Sequence, residues 1–311
     1  MFAIEATDLQ KRFGNHEVVC EINLKVNAGE IFSLLGPNGA GKTTTISMIS
    51  GLLSPDNGDA LILGHSITTD GDKARSSLGV VPQEIALYND LSARENLEFW
   101  GKMYGLRGQE LKGRVDEILE MIGLTERQKD RLGTFSGGMK RRVNIGAALL
   151  HHPQVIIMDE PTVGIDPQSR RHILDSVKEL NRKGMSVLYT THYMEEAQEL
   201  SNHIAIMDQG KIIAYGTHDE LVRKVGESTR IELKLSGNAE SAIELWKKVP
   251  GVMGVSMTDH TATVLVTDSN AVLPQLFNEA NQTQARITGV DIQEPNLESV
   301  FMQLTGRALR D

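Results

Sequence analysis

The run Gly36-Pro37-Asn38-Gly39-Ala40-Gly41-Lys42-Thr43-Thr44 has the types and spacing of a phosphate cradle, G-x-x-x-x-G-K-[ST]. Its glycines let backbone N–H groups turn inward around phosphate oxygens. A helix opening at Lys42 would present its positive N-terminal dipole to the same anion. Lys42 is long enough to reach terminal phosphates, and Thr43 offers a hydroxyl to Mg²⁺. A second candidate lies at Val155-Ile156-Ile157-Met158-Asp159-Glu160, an apolar run ending in two carboxylates. At such a strand end Asp159 can hold Mg²⁺, usually through water, and Glu160 can polarise an attacking water. General-base help of this kind contributes roughly 10²–10⁴-fold.

These groups need a scaffold that delivers apolar strand ends to one edge. Residues 2–9, 18–26 and 31–35 read as early strands, separated by glycine punctuation. A helix-rich middle runs over residues 93–150. Buried strands follow at 155–158 and 186–190, with a helix between them, and shorter strands at 203–207 and 211–215. Alternation of this kind predicts an α/β layer structure with a parallel sheet. Beyond residue 224 the pattern changes. Strands are expected at 230–235, 252–257, 261–266 and 286–292, the middle pair joined as a hairpin across Asp259-His260. Helices are expected at 239–248, 272–280 and 297–304. The order β-α-β-β-α-β points to a small ferredoxin-like α+β domain. The chain is therefore read as a phosphate-binding α/β domain over residues 1–222, with a helical subdomain at about 84–150, and an accessory domain over 225–311.

Composition narrows the classes. The 311 residues carry a formal net charge of −9, which disfavours a nucleic-acid binder. Cys20 is the only cysteine, so no intrachain disulfide can form, as expected in a reducing compartment. The amino-terminal residues, with Glu5 and Asp8, lack the apolar segment of a secretory signal. No apolar run approaches the roughly 20 residues of a membrane-spanning helix. A membrane role would need a separate spanning partner.

Between the two carboxylate and phosphate segments stands Phe135-Ser136-Gly137-Gly138-Met139-Lys140-Arg141-Arg142. It resembles the signature motif of ATP-binding-cassette (ABC) proteins, usually LSGGQ, with Phe135 in place of Leu and Met139 in place of Gln. The resemblance extends to further motifs in order. Gln83, in Val80-Val81-Pro82-Gln83-Glu84, resembles the Q-loop glutamine, which contacts Mg²⁺ and the water. Gly164-Ile165-Asp166-Pro167 resembles the D-loop at the dimer interface. His192 resembles the switch histidine at the γ-phosphate. Phe13, in Lys11-Arg12-Phe13-Gly14, resembles the aromatic that stacks on adenine. The SGGM variant and the tail from Pro295 to Gly306 resemble the ATPases of ABC-2 type drug exporters, the daunorubicin and linearmycin resistance types.

That resemblance implies a P-loop ATPase fold with a parallel-sheet core, an antiparallel β subdomain and a helical subdomain. It implies ATP and Mg²⁺ as ligands and a second copy of the chain as partner. Each ATP would lie between the Gly36–Thr44 segment of one subunit and Ser136, Gly137 and Gly138 of the other. Integral membrane permease subunits on separate chains would receive the motion at the cytoplasmic face of the membrane. Competing readings are a non-transport cassette ATPase acting on ribosomes or DNA, and an importer ATPase. Ribosome-acting relatives generally carry two cassettes in one chain, where this sequence has one P-loop, and chromosome and repair relatives insert a long coiled coil between P-loop and signature motif. Residues 45–135 are too few for that insertion. The basic run Lys140-Arg141-Arg142 reads equally as a solvated helix face or as a functional element.

Overall fold

The computed structural model describes residues 1–224, 229–237, 239–258, 261–283, 285–294 and 296–305. The turn at Asp259-His260 and the ends of the tail motif, Pro295 and Gly306, lie outside them. The chain divides into two compact units, the first ending at His218 and the second beginning at Asp219.

In the first unit, β1 (Phe2–Phe13) and β2 (His16–Asn27) form an antiparallel ribbon broken by register shifts. Both run longer than expected, since the shifts interrupt the sequence alternation without ending the pairing. After β3 (Ile31–Leu35) and α1 (Lys42–Ile49) come β4 (Asn57–Ile62), β5 (His65–Ser66), α2 (Gly71–Ser76) and β6 (Leu78–Val81). These four short elements had no strong periodicity to announce them. The helical middle holds α3 (Ala93–Met103), α4 (Gly108–Met121), two 3₁₀ turns and α5 (Gly137–Ala148). Next are β7 (Val155–Asp159), α6 (Pro167–Arg182), β8 (Ser186–Thr191), α7 (Met194–Leu200), β9 (His203–Asp208) and β10 (Lys211–Gly216), and α8 (His218–Lys224) begins at the unit's last residue and continues into the second unit.

Two sheets result. One has the order β2-β1-β4-β5 and is antiparallel. The other has the order β10-β9-β3-β8-β7-β6. Its β9, β3, β8, β7 and β6 run parallel, and β10 is an antiparallel edge. Every residue of β3, β7 and β8 is buried, because helices and the second sheet cover both faces. One apolar cluster joins α3–α6 to the parallel sheet. Another fills the space between α1, the parallel sheet and the β1–β2 ribbon. The parallel strands therefore end together, and the loops after β3, β6, β7 and β8 meet at one edge.

The second unit contains β11 (Thr229–Ser236), α9 (Ala239–Trp246), β12 (Val252–Thr258), β13 (Thr261–Val266), α10 (Ser269–Gln282), β14 (Arg286–Gln293) and α11 (Leu297–Thr305). Its sheet has the order β12-β13-β11-β14, antiparallel throughout. This is a split β-α-β arrangement, the ferredoxin-like order. α10 starts three residues earlier than its apolar spacing suggests. Asp268 caps it by accepting from the Asn270 and Ala271 amides. Trp246 is fully buried and its indole N–H donates to the Leu276 carbonyl at 2.9 Å, tying α9 to α10.

Candidate functional site

At the shared edge of the parallel strands a cleft of about 380 Å³ opens. Asn38, Gly39, Gly41, Lys42, Thr43, Thr44, Gln83, Glu160 and His192 line it, with Val18 and Val163. Segments more than a hundred residues apart in the chain thus converge on one space. The loop from Gly36 to Gly41 leaves β3 and turns into α1. Gly41 sits at φ 103°, and a Cβ there would meet the Val18 carbonyl at 2.7 Å. At Gly36 a Cβ would come within 2.3 Å of the Met207 carbonyl. Glycine is required at both positions by close backbone approach, and at Gly41 by conformation as well. Pro37 and Ala40 support the turn from outside the cleft: the Ala40 amide donates to the Pro37 carbonyl at 3.2 Å.

Lys42 is only 4% exposed, and its ammonium is held in three ways. It donates to the carbonyls of Gly36 at 2.8 Å and Pro37 at 3.0 Å, and pairs with Glu160 Oε1 at 2.9 Å. Glu160 occupies a left-handed backbone position, φ 41°. That strain is sustained because its amide donates to the Thr190 hydroxyl at 2.9 Å. His192 Nδ1 lies 3.3 Å from Glu160 Oε1. Burial pushes the Glu160 carboxyl up, but the charge and hydrogen bond of Lys42, with help from His192, outweigh it and leave it below the ordinary value. Asp159 goes the other way. Burial raises it, only partly offset by hydrogen bonds from Thr190 and Thr43. Neighbouring carboxylates are thereby pushed apart in acidity by their different partners.

The remaining expected residues are placed elsewhere. Phe13 ends β1, half exposed, with Lys11 Nζ 5.9 Å from its ring centre. Ser136 caps α5, its hydroxyl accepting from the Met139 amide at 3.3 Å. Ser136 and Gly137 are exposed, and neither they nor Gly138 line the cleft. Gly138 is buried because α5 crosses α6 there: a Cβ would meet Ser169 Oγ at 2.1 Å. Met139, the departure from glutamine, packs on the helical apolar cluster. Asp166 is exposed and caps α6, accepting from the Ser169 amide at 3.0 Å, and that bond lowers its carboxyl's pKa.

Two residues at the site escaped sequence reasoning. Thr190 donates to Asp159 Oδ1 at 2.6 Å while accepting from the Glu160 amide, so one hydroxyl sets both acids. Glu196, buried on α7, accepts from Thr162 at 2.7 Å and from Tyr189 and Thr191 at 2.9 Å each. Arg170 Nε stands 3.4 Å from the same carboxylate. Glu196 thus joins the turn after Glu160 to the strand that delivers His192. Thr190 lies beside the expected His192, but nothing in its type distinguishes it from any strand threonine.

A glycine loop at a helix N-terminus, a buried lysine and a strand-end acid pair on a parallel sheet define a P-loop nucleoside-triphosphate hydrolase. Comparison with known proteins then narrows the class. Residues 19–163 match the ABC transporter family, and residues 216–305 match the C-terminal domain of DrrA1-3-like ATP-binding proteins. The chain is 49% identical to the linearmycin resistance ATP-binding protein LnrL of Bacillus subtilis, over 99% of this chain and 100% of that one. It is 35% identical to the daunorubicin/doxorubicin resistance ATP-binding protein DrrA of Streptomyces peucetius, over 99% and 94%. A Nod factor export ATP-binding protein of Cupriavidus metallidurans is 36% identical, over 99% of each chain. Among solved structures, the ATP-binding subunit of an ABC transporter superposes with a TM-score of 0.65 at 32% identity, covering 72% of this chain and 93% of its own. A dimeric post-hydrolysis cassette bound to ADP and phosphate gives 0.63 at 27%, covering 69% and 98%. The chain belongs to the ABC transporter ATP-binding proteins, and it binds and hydrolyses ATP.

Proposed function

We propose that this chain is the motor subunit of an exporter for a drug-like or amphipathic compound, working with a separate ABC-2 type permease. The names of its relatives support export, as does the match of residues 216–305. Among the described residues no helix is long and apolar enough to cross a membrane, so a permease on another chain would do the spanning. The subunit would then sit peripherally at the cytoplasmic face. Residues 1–222 would form the engine, with about 84–150 as its helical arm, and 225–311 an accessory domain.

One observation carries the mechanism: Lys42 and Glu160 neutralise each other across the cleft, with His192 and Gln83 beside them. Lys42 and the Gly36–Thr44 amides would take the phosphates, and Phe13 the adenine. A terminal phosphate entering the cleft must draw Lys42 away from Glu160. Glu160 then loses the partner that holds its pKa down while its burial stays. Its basicity rises as the water it must polarise arrives. His192 would orient the γ-phosphate. Thr43, Asp159 and Gln83 supply a hydroxyl, a buried carboxylate and an amide, the hard oxygen donors that suit Mg²⁺. Bound there, the ion would neutralise phosphate charge.

The turn of Ser136, Gly137 and Gly138 opens a helix N-terminus whose first residues, Ser136 and Gly137, are exposed and do not line their own cleft. Such a terminus suits a phosphate held by a second copy of the chain. Asp166, exposed at the start of α6, would meet that copy. ATP favours the closed pair because only that form touches the γ-phosphate from both sides. Glu160→Gln tests the assignment. Turnover should fall by roughly 10²-fold or more, while ATP binding persists and an ATP-dependent dimer accumulates on size-exclusion chromatography. Near-normal hydrolysis would remove Glu160 from the role of base.

A further inference from the structure

The run Lys140-Arg141-Arg142 is not a solvated face. Lys140 donates to the Asn89 side chain at 2.9 Å, and Arg142 to the Ile122 carbonyl at 2.9 Å. Arg141 goes deepest, 3% exposed. Its Nη1 donates to the Pro82 carbonyl at 2.6 Å and its Nη2 to the Gln83 carbonyl. No carboxylate pairs with it among the described residues. The acid whose charge it feels most is Asp159, while burial pulls its own pKa down. A buried guanidinium without a paired acid is costly to hold. Here two N–H donors fixed in one planar fork hold two successive carbonyls, a rigid geometry that a lysine's single rotating ammonium does not reproduce.

The placement gives that cost a use. Arg141 lies on α5 about one and a half turns in from Ser136, roughly 7 Å along the axis. Pro82 and Gln83 follow β6 at the sheet edge, and the Gln83 side chain lines the phosphate cleft. One rigid helix thus carries the Ser136 turn at its tip and grips the backbone of Gln83 with its flank. We propose that Arg141 is a positioning residue that yokes Gln83 to α5, so that the glutamine reaches the phosphate cleft only when the Ser136-bearing helix is correctly set. This rests on the role given to Gln83 above. The consequence is that the two faces of the nucleotide sandwich are assembled together.

The test is a double-mutant cycle on the full chain, with ATP turnover and ATP affinity measured for Arg141→Lys, Gln83→Ala and the pair. Arg141→Lys keeps the charge and loses the fork. It should cut kcat about tenfold with ATP affinity held within about twofold, since the cradle residues are untouched. In the Gln83→Ala background the same change should cost less than about twofold, because the glutamine it positions is gone. Arg141→Gln should behave as Arg141→Lys; if it fails to fold, the lysine cycle alone decides. Losses that multiply, with Gln83→Ala impaired, would overturn the yoke and leave the Gln83 assignment standing. An unimpaired Gln83→Ala would overturn the assignment of Gln83 and the yoke with it.

Discussion

Among the described residues, the first unit buries charged side chains and the second does not. Glu30, Lys42, Arg114, Arg141, Asp159, Glu160, Glu196 and Asp208 are all buried before residue 219. After it, the buried polar side chains among the described residues are Thr229 and Ser269, beside a core of Ile231, Leu233, Trp246, Val264 and Leu276. Burying ions costs several kcal/mol each unless partners are arranged around them. The difference separates a unit whose core holds partnered charges from one whose described core is apolar.

Breaking the second unit should therefore be a matter of shape. Trp246→Ala removes its largest buried side chain and the bond to Leu276, costing about 3–5 kcal/mol. In chemical denaturation the second unit should lose its transition first, while ATP binding by the first persists. Parallel loss of both would mean that the units do not stand alone.

In the first unit, single charges should matter instead. Lys42→Ala should weaken ATP binding by about 2–3 kcal/mol, the scale of a charge-assisted hydrogen bond. Calorimetry showing unchanged affinity would contradict its place in the cradle. Glu196→Gln leaves hydroxyl donors of Thr162, Tyr189 and Thr191 facing an amide, and should cost about 2 kcal/mol of stability by urea titration. Wild-type stability in that variant would make the network dispensable.

The smallest effect is in pH. Glu160 is held below its ordinary value in the folded, nucleotide-free protein. Its pair with Lys42 therefore stabilises the fold fully above the unfolded glutamate pKa of about 4.3, and that contribution drains as pH falls through the lower folded value. The stability gap between wild type and Glu160→Gln should be constant from pH 7 to about pH 5 and close below it. Asp159, raised rather than lowered, is present in both proteins and cancels to first order. A gap that widens on acidification would reverse the direction assigned to Glu160.

The amino-acid sequence by itself determined the chemistry and the alternation. A glycine loop before a lysine can serve few purposes, because its glycines, its lysine and its helix start are all local. The same holds for the apolar run ending in Asp159 and Glu160, and for the β-α-β-β-α-β order of the second unit. Only the tertiary structure decided which side chains work together. Thr190 reaches Glu160 from 30 residues away, and Arg141 reaches Gln83 from 58. It also decided that the turn at Ser136 lies outside the lining of its own phosphate cleft. The reason is physical: partners across a sheet or between helices are set by burial and packing over long separations, which residue type and spacing do not encode.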